Sequence, residues 1–192
     1  MSVALRTQAM TQAEFLEWAG AQEGRYEFDG FQPVAMTGGT YNHSRISENI
    51  RFALGKRLDG GPCQVLGEAG VATTNDGVRY PEALVTCSKV PGTALLIPGV
   101  VVVFEVVSPS SVRVDHYVKV REYHAVPSIR RYVIAESTSM DLTVLTRQDH
   151  AAEWAAATLT GEDTLHMPEI GASVPVAEFY RGVELPEAGQ GR

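Results

Sequence analysis

The most apolar run in the chain is "PGVVVVFEVVSPSS", residues 98 to 111, and a single carboxylate, Glu105, interrupts it. Valine and phenylalanine at this density predict a strand buried on both faces. Elsewhere the apolar positions change period. "TQAEFLEWAGAQ" opens with Thr11 and has Glu14 three residues on, a capping-box start for a short helix. "GRYEFDGFQPVAM" predicts two short strands turning at Asp29-Gly30. In "YNHSRISENIRFALGKRLDGG", Ile46, Ile50, Ala53, Leu54 and Leu58 fall at helical spacing. Asn42 or Ser44 is expected to cap that helix, and Gly60-Gly61 to stop it.

Short strand signals follow in "CQVLG", "GVATT" and "VRYPEALVTC", ahead of the apolar run. "VRVDHYVKVREYHAV" returns to helical period and stops before Pro127. "IRRYVIAES", "DLTVLTRQ" and "EWAAATLT" predict strands, and "PVAEFYRGVEL" a closing helical turn. The central order is helix, three strands, helix, strand. An α/β protein with a mixed sheet and helices on its faces follows, with an extra N-terminal helix and hairpin and extra C-terminal strands. At 192 residues the expectation is one domain over 1–186, with 187–192 a disordered tail.

Composition narrows the function classes. Hydrophobic residues make up 44% of the chain and charged residues 20%, as in a protein with a real core. The net charge of −7 argues against non-specific coating of nucleic acid, which rests on Lys and Arg contacts to phosphate, but leaves room for a local basic groove. Cys63 and Cys87 show no metal or redox spacing. One disulfide is possible in principle, but the expectation is two reduced, buried thiols. The N-terminus is polar and too short for a signal peptide, and the valine run is too short to span a bilayer. A cytoplasmic protein without a membrane partner is expected.

An unpaired carboxylate in a buried strand costs several kcal/mol, so Glu105 calls for a partner. Alternation places Val101, Val103, Glu105 and Val107 on one face, with Glu105 near the strand's C-terminal end. Ligand sites cluster beyond such strand ends. The neighbour that fits is Glu82, directly after Pro81 in "VRYPEALV". Two carboxylates on adjacent strands repel, and a divalent cation with hard oxygen ligands, Mg²⁺ or Mn²⁺, removes the conflict. The alternative is a core salt bridge from Glu105 to Arg79 or Arg113, with Glu82 in solvent. Asp115, Lys119 and Tyr123 fall at i, i+4 and i+8 on the following helix, so Lys119 is within reach of the carboxylates. The plainer alternative is a surface pair with Asp115. "SPSS" lacks a nucleophile-elbow context, and "MTGGTYNHS" lacks the lysine and Ser/Thr of a P-loop.

Taken together, "RYEFDG", the helix bearing His43, "VRYPEALV", "VVVFEVVSPSS" and D-x-x-x-K-x-x-x-Y from Asp115 to Tyr123 resemble the Uma-two family. That family is grouped with the restriction endonucleases of the PD-(D/E)XK nuclease superfamily, whose core also runs α-β-β-β-α-β. The resemblance spans about residues 10 to 150. It implies a Mg²⁺- or Mn²⁺-dependent endonuclease that hydrolyses phosphodiester bonds, of DNA rather than RNA. Glu82 and Glu105 would be metal ligands and, with Lys119, the catalytic set. Glu27, His43, Asp115 and Tyr123 would be accessory. Two departures stand out: the family's Asp is Glu82 here, and the superfamily lysine position is Val107, so the lysine would have moved to Lys119. The alternative function is a catalytically degenerate nuclease fold that binds nucleic acid or protein. Nucleases acting on duplexes are often two-fold dimers, so a homodimer is a further expectation.

Overall fold

The computed structural model describes residues 10–107 and 113–186, without the side chains of 113–116. Helix α1 (Gln12–Gly20) starts as the sequence predicts: the Thr11 side chain accepts from the Glu14 N–H, and the Glu14 carboxylate accepts from the Thr11 N–H at 2.7 Å. Strands β1 (Tyr26–Phe28) and β2 (Pro33–Ala35) pair antiparallel. Their turn is held by Asp29, whose carboxylate accepts from the N–H groups of Phe31 and Gln32 at 2.7 Å each. Gly30 there has φ 87°, and a Cβ would lie 2.1 Å from the Asn75 carbonyl oxygen, so only glycine fits. Helix α2 (Tyr41–Leu58) is capped by Thr40, not by Asn42 or Ser44. It begins two to four residues earlier than those caps imply, and Asn42 instead donates to the Glu184 carbonyl at 2.8 Å.

Next come β3 (Gln64–Leu66), β4 (Val71–Ala72), β5 (Val78–Arg79), β6 (Ala83–Thr86), β7 (Val100–Val107), α3 (Arg113–His124), β8 (Arg131–Glu136), β9 (Leu142–Thr146) and β10 (Ala155–Leu159). The chain closes with β11 (Thr164–Met167), β12 (Ala172–Pro175) and α4 (Val176–Phe179). The main sheet has the order β10-β9-β8-β7-β6-β3. Within it β7 and β8 run parallel, joined through α3. The expected core order is present as α2, β3, β6, β7, α3, β8. "VRYPEALVTC" is not one strand: β5 joins a second sheet, β2-β1-β5-β4, and β6 starts after Pro81. Proline lacks the N–H that a continuous strand would need there. The hairpin β11–β12 has no counterpart in the sequence reading, although its burial alternates along both strands.

Strand β7 is buried on both faces, as its composition predicts. One face packs Val102, Phe104 and Val106 against α2, β12 and α4. The other packs Val103 and Val107 with Leu84, Tyr123, Ile129 and Tyr132. Val101 departs from the expected alternation and packs with the first cluster, because the β6–β7 register shifts between Val85 and Thr86. A third cluster, Phe15, Phe28 and Val78, seats α1 on the second sheet.

The cysteines also differ from expectation. Cys63 and Cys87 form a disulfide, with Cα atoms 3.9 Å apart, and Cys87 is exposed. The pairing follows from strand register. Gln64 opposes Thr86, so the next residues outward face each other across β3 and β6. Among the described residues no helix is long and apolar enough to cross a membrane. The "SPSS" loop and the 187–192 tail lie outside the described residues.

Two stability predictions follow from these contacts. Phe104 is fully buried and meets Phe179 edge-on with ring centroids 6.0 Å apart. Phe104→Ala is expected to cost about 3–5 kcal/mol in a urea unfolding curve. Thiol titration of the oxidised, denatured chain should find no free cysteine. Reduction should remove roughly 3 kcal/mol of stability on the loop-closure account.

Candidate active site

The site is built where the two sheets meet α3. Ala83 opposes Phe104 in the antiparallel β6–β7 ladder. Continuing that register by one residue sets Glu82 against Glu105, on the face shared by Leu84 and Val103. One Glu82 oxygen accepts from the Val106 N–H at 3.1 Å, and the other lies 3.1 Å from His43 Nε2. Glu105 Oε1 accepts from Lys119 Nζ at 3.2 Å and from the Tyr123 hydroxyl at 2.8 Å. Lys119 Nζ is also 3.4 Å from Glu27 Oε1. Behind it stands Arg79, which donates to Glu27 at 2.9 Å and to both Glu122 oxygens at 2.6 and 2.8 Å.

Local sequence explains each placement. Lys119, Glu122 and Tyr123 stand at i, i+3 and i+4 on α3 and so share one face. His43 sits in the first turn of α2, positioned by the Thr40 cap. A Cβ at Gly39 would approach His43 Nδ1 to 2.5 Å, so glycine lets the loop close on the ring. Glu27 and Arg79 come from β1 and β5, which the second sheet holds antiparallel through Phe28 and Val78. Glu27, His43, Glu82, Glu105 and Lys119 border a cleft of about 410 Å³, whose outer wall is Val34–Thr40.

A family model described as "Putative restriction endonuclease" matches residues 12–177 of this chain. The chain belongs to the Uma2 family. A relative in Synechocystis, "Uncharacterized protein slr1290", is 30% identical over 174 residues, covering 88% of this chain and 90% of its own. A solved structure from Anabaena variabilis, described as "a putative nuclease belonging to DUF820", superposes with a TM-score of 0.73. It is 12% identical and covers 90% of this chain and 98% of its own, so the fold is shared. The Uma2 assignment agrees with the motif order read from the sequence.

In this Uma2 chain the two facing carboxylates are driven apart in acidity. Burial pushes the Glu105 carboxyl well above its ordinary range. Lys119 opposes that push and the neighbouring Glu82 reinforces it. Burial also pushes Glu82 upward, but the hydrogen bonds from His43 and Glu105 outweigh it and hold Glu82 below its ordinary value. Glu105 thus holds a proton more tightly than the Glu82 that faces it. The contact with Glu82 raises His43 against the opposing effect of burial. Burial raises the Tyr123 hydroxyl, which stays protonated as a donor.

Glu82, Glu105, Lys119, Glu27, His43 and Tyr123 therefore meet at one place. The Asp115 side chain lies outside the described residues. Lys119 is not a surface residue: its side chain is 11% exposed, between two carboxylates. Arg79 is not the partner of Glu105 but of Glu27 and Glu122. The sequence reading missed Glu122 altogether. Its position three residues after Lys119 was the available signal. In the metal-free protein Glu105 releases its proton above the ordinary carboxylate range, whereas the unfolded chain releases it within that range. The folded state then binds more protons, and stability falls as pH rises from the ordinary carboxylate range through the raised Glu105 value. Glu105→Gln should flatten that fall. In urea unfolding with chelator present, its stability gain over the native sequence should grow from about pH 4 to about pH 8.

Proposed function

We propose that this protein is a divalent-cation-dependent nuclease that hydrolyses phosphodiester bonds, with DNA as substrate. The observation that carries the reading is the opposed Glu82–Glu105 pair, with the Lys119 ammonium 3.2 Å from Glu105. The donor set fits a hard cation. Two carboxylates face each other across adjacent strands, and a cation between them would relieve the repulsion. Among the described residues no three His, Cys, Asp or Glu side chains form a ready cage. Glu82 and Glu105 would therefore hold the ion together with water, as Mg²⁺ sites commonly do. Glu27 is engaged by Arg79, the Tyr80 N–H and Lys119, which suits it to holding the lysine rather than the ion.

Bound there, Mg²⁺ or Mn²⁺ would polarise a phosphoryl oxygen and acidify a water. The chain's own groups do the rest. Lys119 places a positive charge in the cleft for the phosphate oxygens, whose charge grows in the transition state. Tyr123 and Glu27 keep the lysine and Glu105 in register. His43 fixes the Glu82 carboxylate. The water oxygen bonds to phosphorus and gives up a proton, the ester P–O bond breaks, and the leaving oxygen takes up a proton. Glu82 carries one methylene more than the family's Asp, and its carboxylate reaches the Val106 N–H on the neighbouring strand. That contact supports a positioned ligand over a retired one.

The test pairs binding with cleavage. Mn²⁺ should raise the melting temperature and give a calorimetric isotherm, both lost in Glu82→Ala and Glu105→Ala. Lys119→Gln should cut Mn²⁺-dependent DNA cleavage by roughly 10²–10³-fold while retaining Mn²⁺ binding. Because Lys119 is buried between carboxylates, Lys119→Gln should also lower the melting temperature in chelator. Unchanged Mn²⁺ binding in both glutamate variants would remove the metal site.

A further inference from the structure

Two carboxylates of the cluster lie deep. Glu105 is 5% exposed and Glu27 7%. Among the described residues they open onto the cleft of about 410 Å³, walled by the end of β2 and the loop that leads into α2. That volume is near the lower end of sites that enclose one small ligand. A second cleft of about 430 Å³ shares the Met36–Gly39 wall, His43, Tyr80 and Glu82 with the first. The two adjoin at these shared residues, in a track that passes Glu82. Tyr80 lines both halves, with the Arg25 guanidinium 5.9 Å from its ring centroid.

Among the described residues the cations along the track are few, and carboxylates stand beside them. Lys119 and His43 are the basic residues of the first cleft. Arg25 and Arg51 serve the second, and each is paired with a carboxylate, Glu68 and Glu48 respectively. Duplex binding draws on rows of Lys and Arg that follow two phosphate backbones. A single strand needs one backbone track and an aromatic face on which a base can stack. The walled cleft, the sparse cations and the ring between the two halves match the second description.

We infer that the substrate is single-stranded nucleic acid, threaded through this track with a base stacked on Tyr80 beside the scissile phosphate. The inference rests on the nuclease reading and narrows its substrate class. The test uses the full chain carrying Glu105→Gln, which blocks cleavage. Fluorescence anisotropy compares a short labelled single-stranded DNA with the same sequence closed into a blunt hairpin duplex. The single strand should bind at least roughly tenfold tighter. Adding Tyr80→Leu should weaken single-strand binding by roughly tenfold, while Tyr80→Phe should retain it. Melting curves confirm that each variant is folded. Equal or tighter duplex binding would overturn the inference, and plasmid nicking by the native sequence would still stand for the nuclease reading. Unchanged single-strand affinity in a folded Tyr80→Leu variant would overturn the stacking role. Binding of neither DNA, together with no cleavage of either, would overturn the inference and the nuclease reading alike.

Discussion

The carboxyl group of Glu105 sits in the middle of a dry sheet, and the surrounding structure is arranged to make that tolerable. Burying such a group without partners would cost several kcal/mol. Four elements supply the partners. The segment before β6 brings Glu82 opposite, α3 brings Lys119 and Tyr123, β1 brings Glu27 to the lysine, and α2 brings His43 to Glu82. Moving any one of them by an ångström would leave a buried charge or hydroxyl without its bond. The packing of β7 on both faces is what keeps that register fixed.

Arg79 extends the same logic one layer out. It is 3% exposed and joins Glu27 on β1 to Glu122 on α3, so the second sheet and the crossover helix are tied by one guanidinium. Its two carboxylate partners hold it strongly protonated against the opposing effect of burial. A planar fork with five donors can serve two carboxylates at once, which an ammonium cannot do with the same geometry. The break at Pro81 makes this possible. It lets β5 leave the main sheet and carry Arg79 to β1, while Glu82, three residues later, stays with β7.

This division between the sheets also explains why the site is enclosed. The β1–β2 hairpin belongs to the second sheet, and its C-terminal end runs on as the wall over the carboxylates. A site placed on rigid strands and closed by a loop is positioned accurately, at the expense of room for the substrate.

The local patterns were legible in the chain itself. The capping box at Thr11, the hairpin at Asp29-Gly30, the doubly buried strand around Glu105 and the stripe from Lys119 to Tyr123 all rest on interactions within a few residues or on a fixed period of two or 3.6. The need of Glu105 for a partner was legible too, because burial of a carboxylate carries its own energetic demand. Which groups answered that need was a tertiary matter. The Cys63–Cys87 pairing and the side on which Val101 packs depended on strand register, including a shift between Val85 and Thr86 that no spacing announces. Arg79 could equally have met Glu105 on sequence grounds. The second sheet decided otherwise by carrying it to Glu27 and Glu122. The depth of the cleft followed from how two sheets and a loop close over one another. That is a property of long-range packing, in which residues dozens of positions apart set the distances.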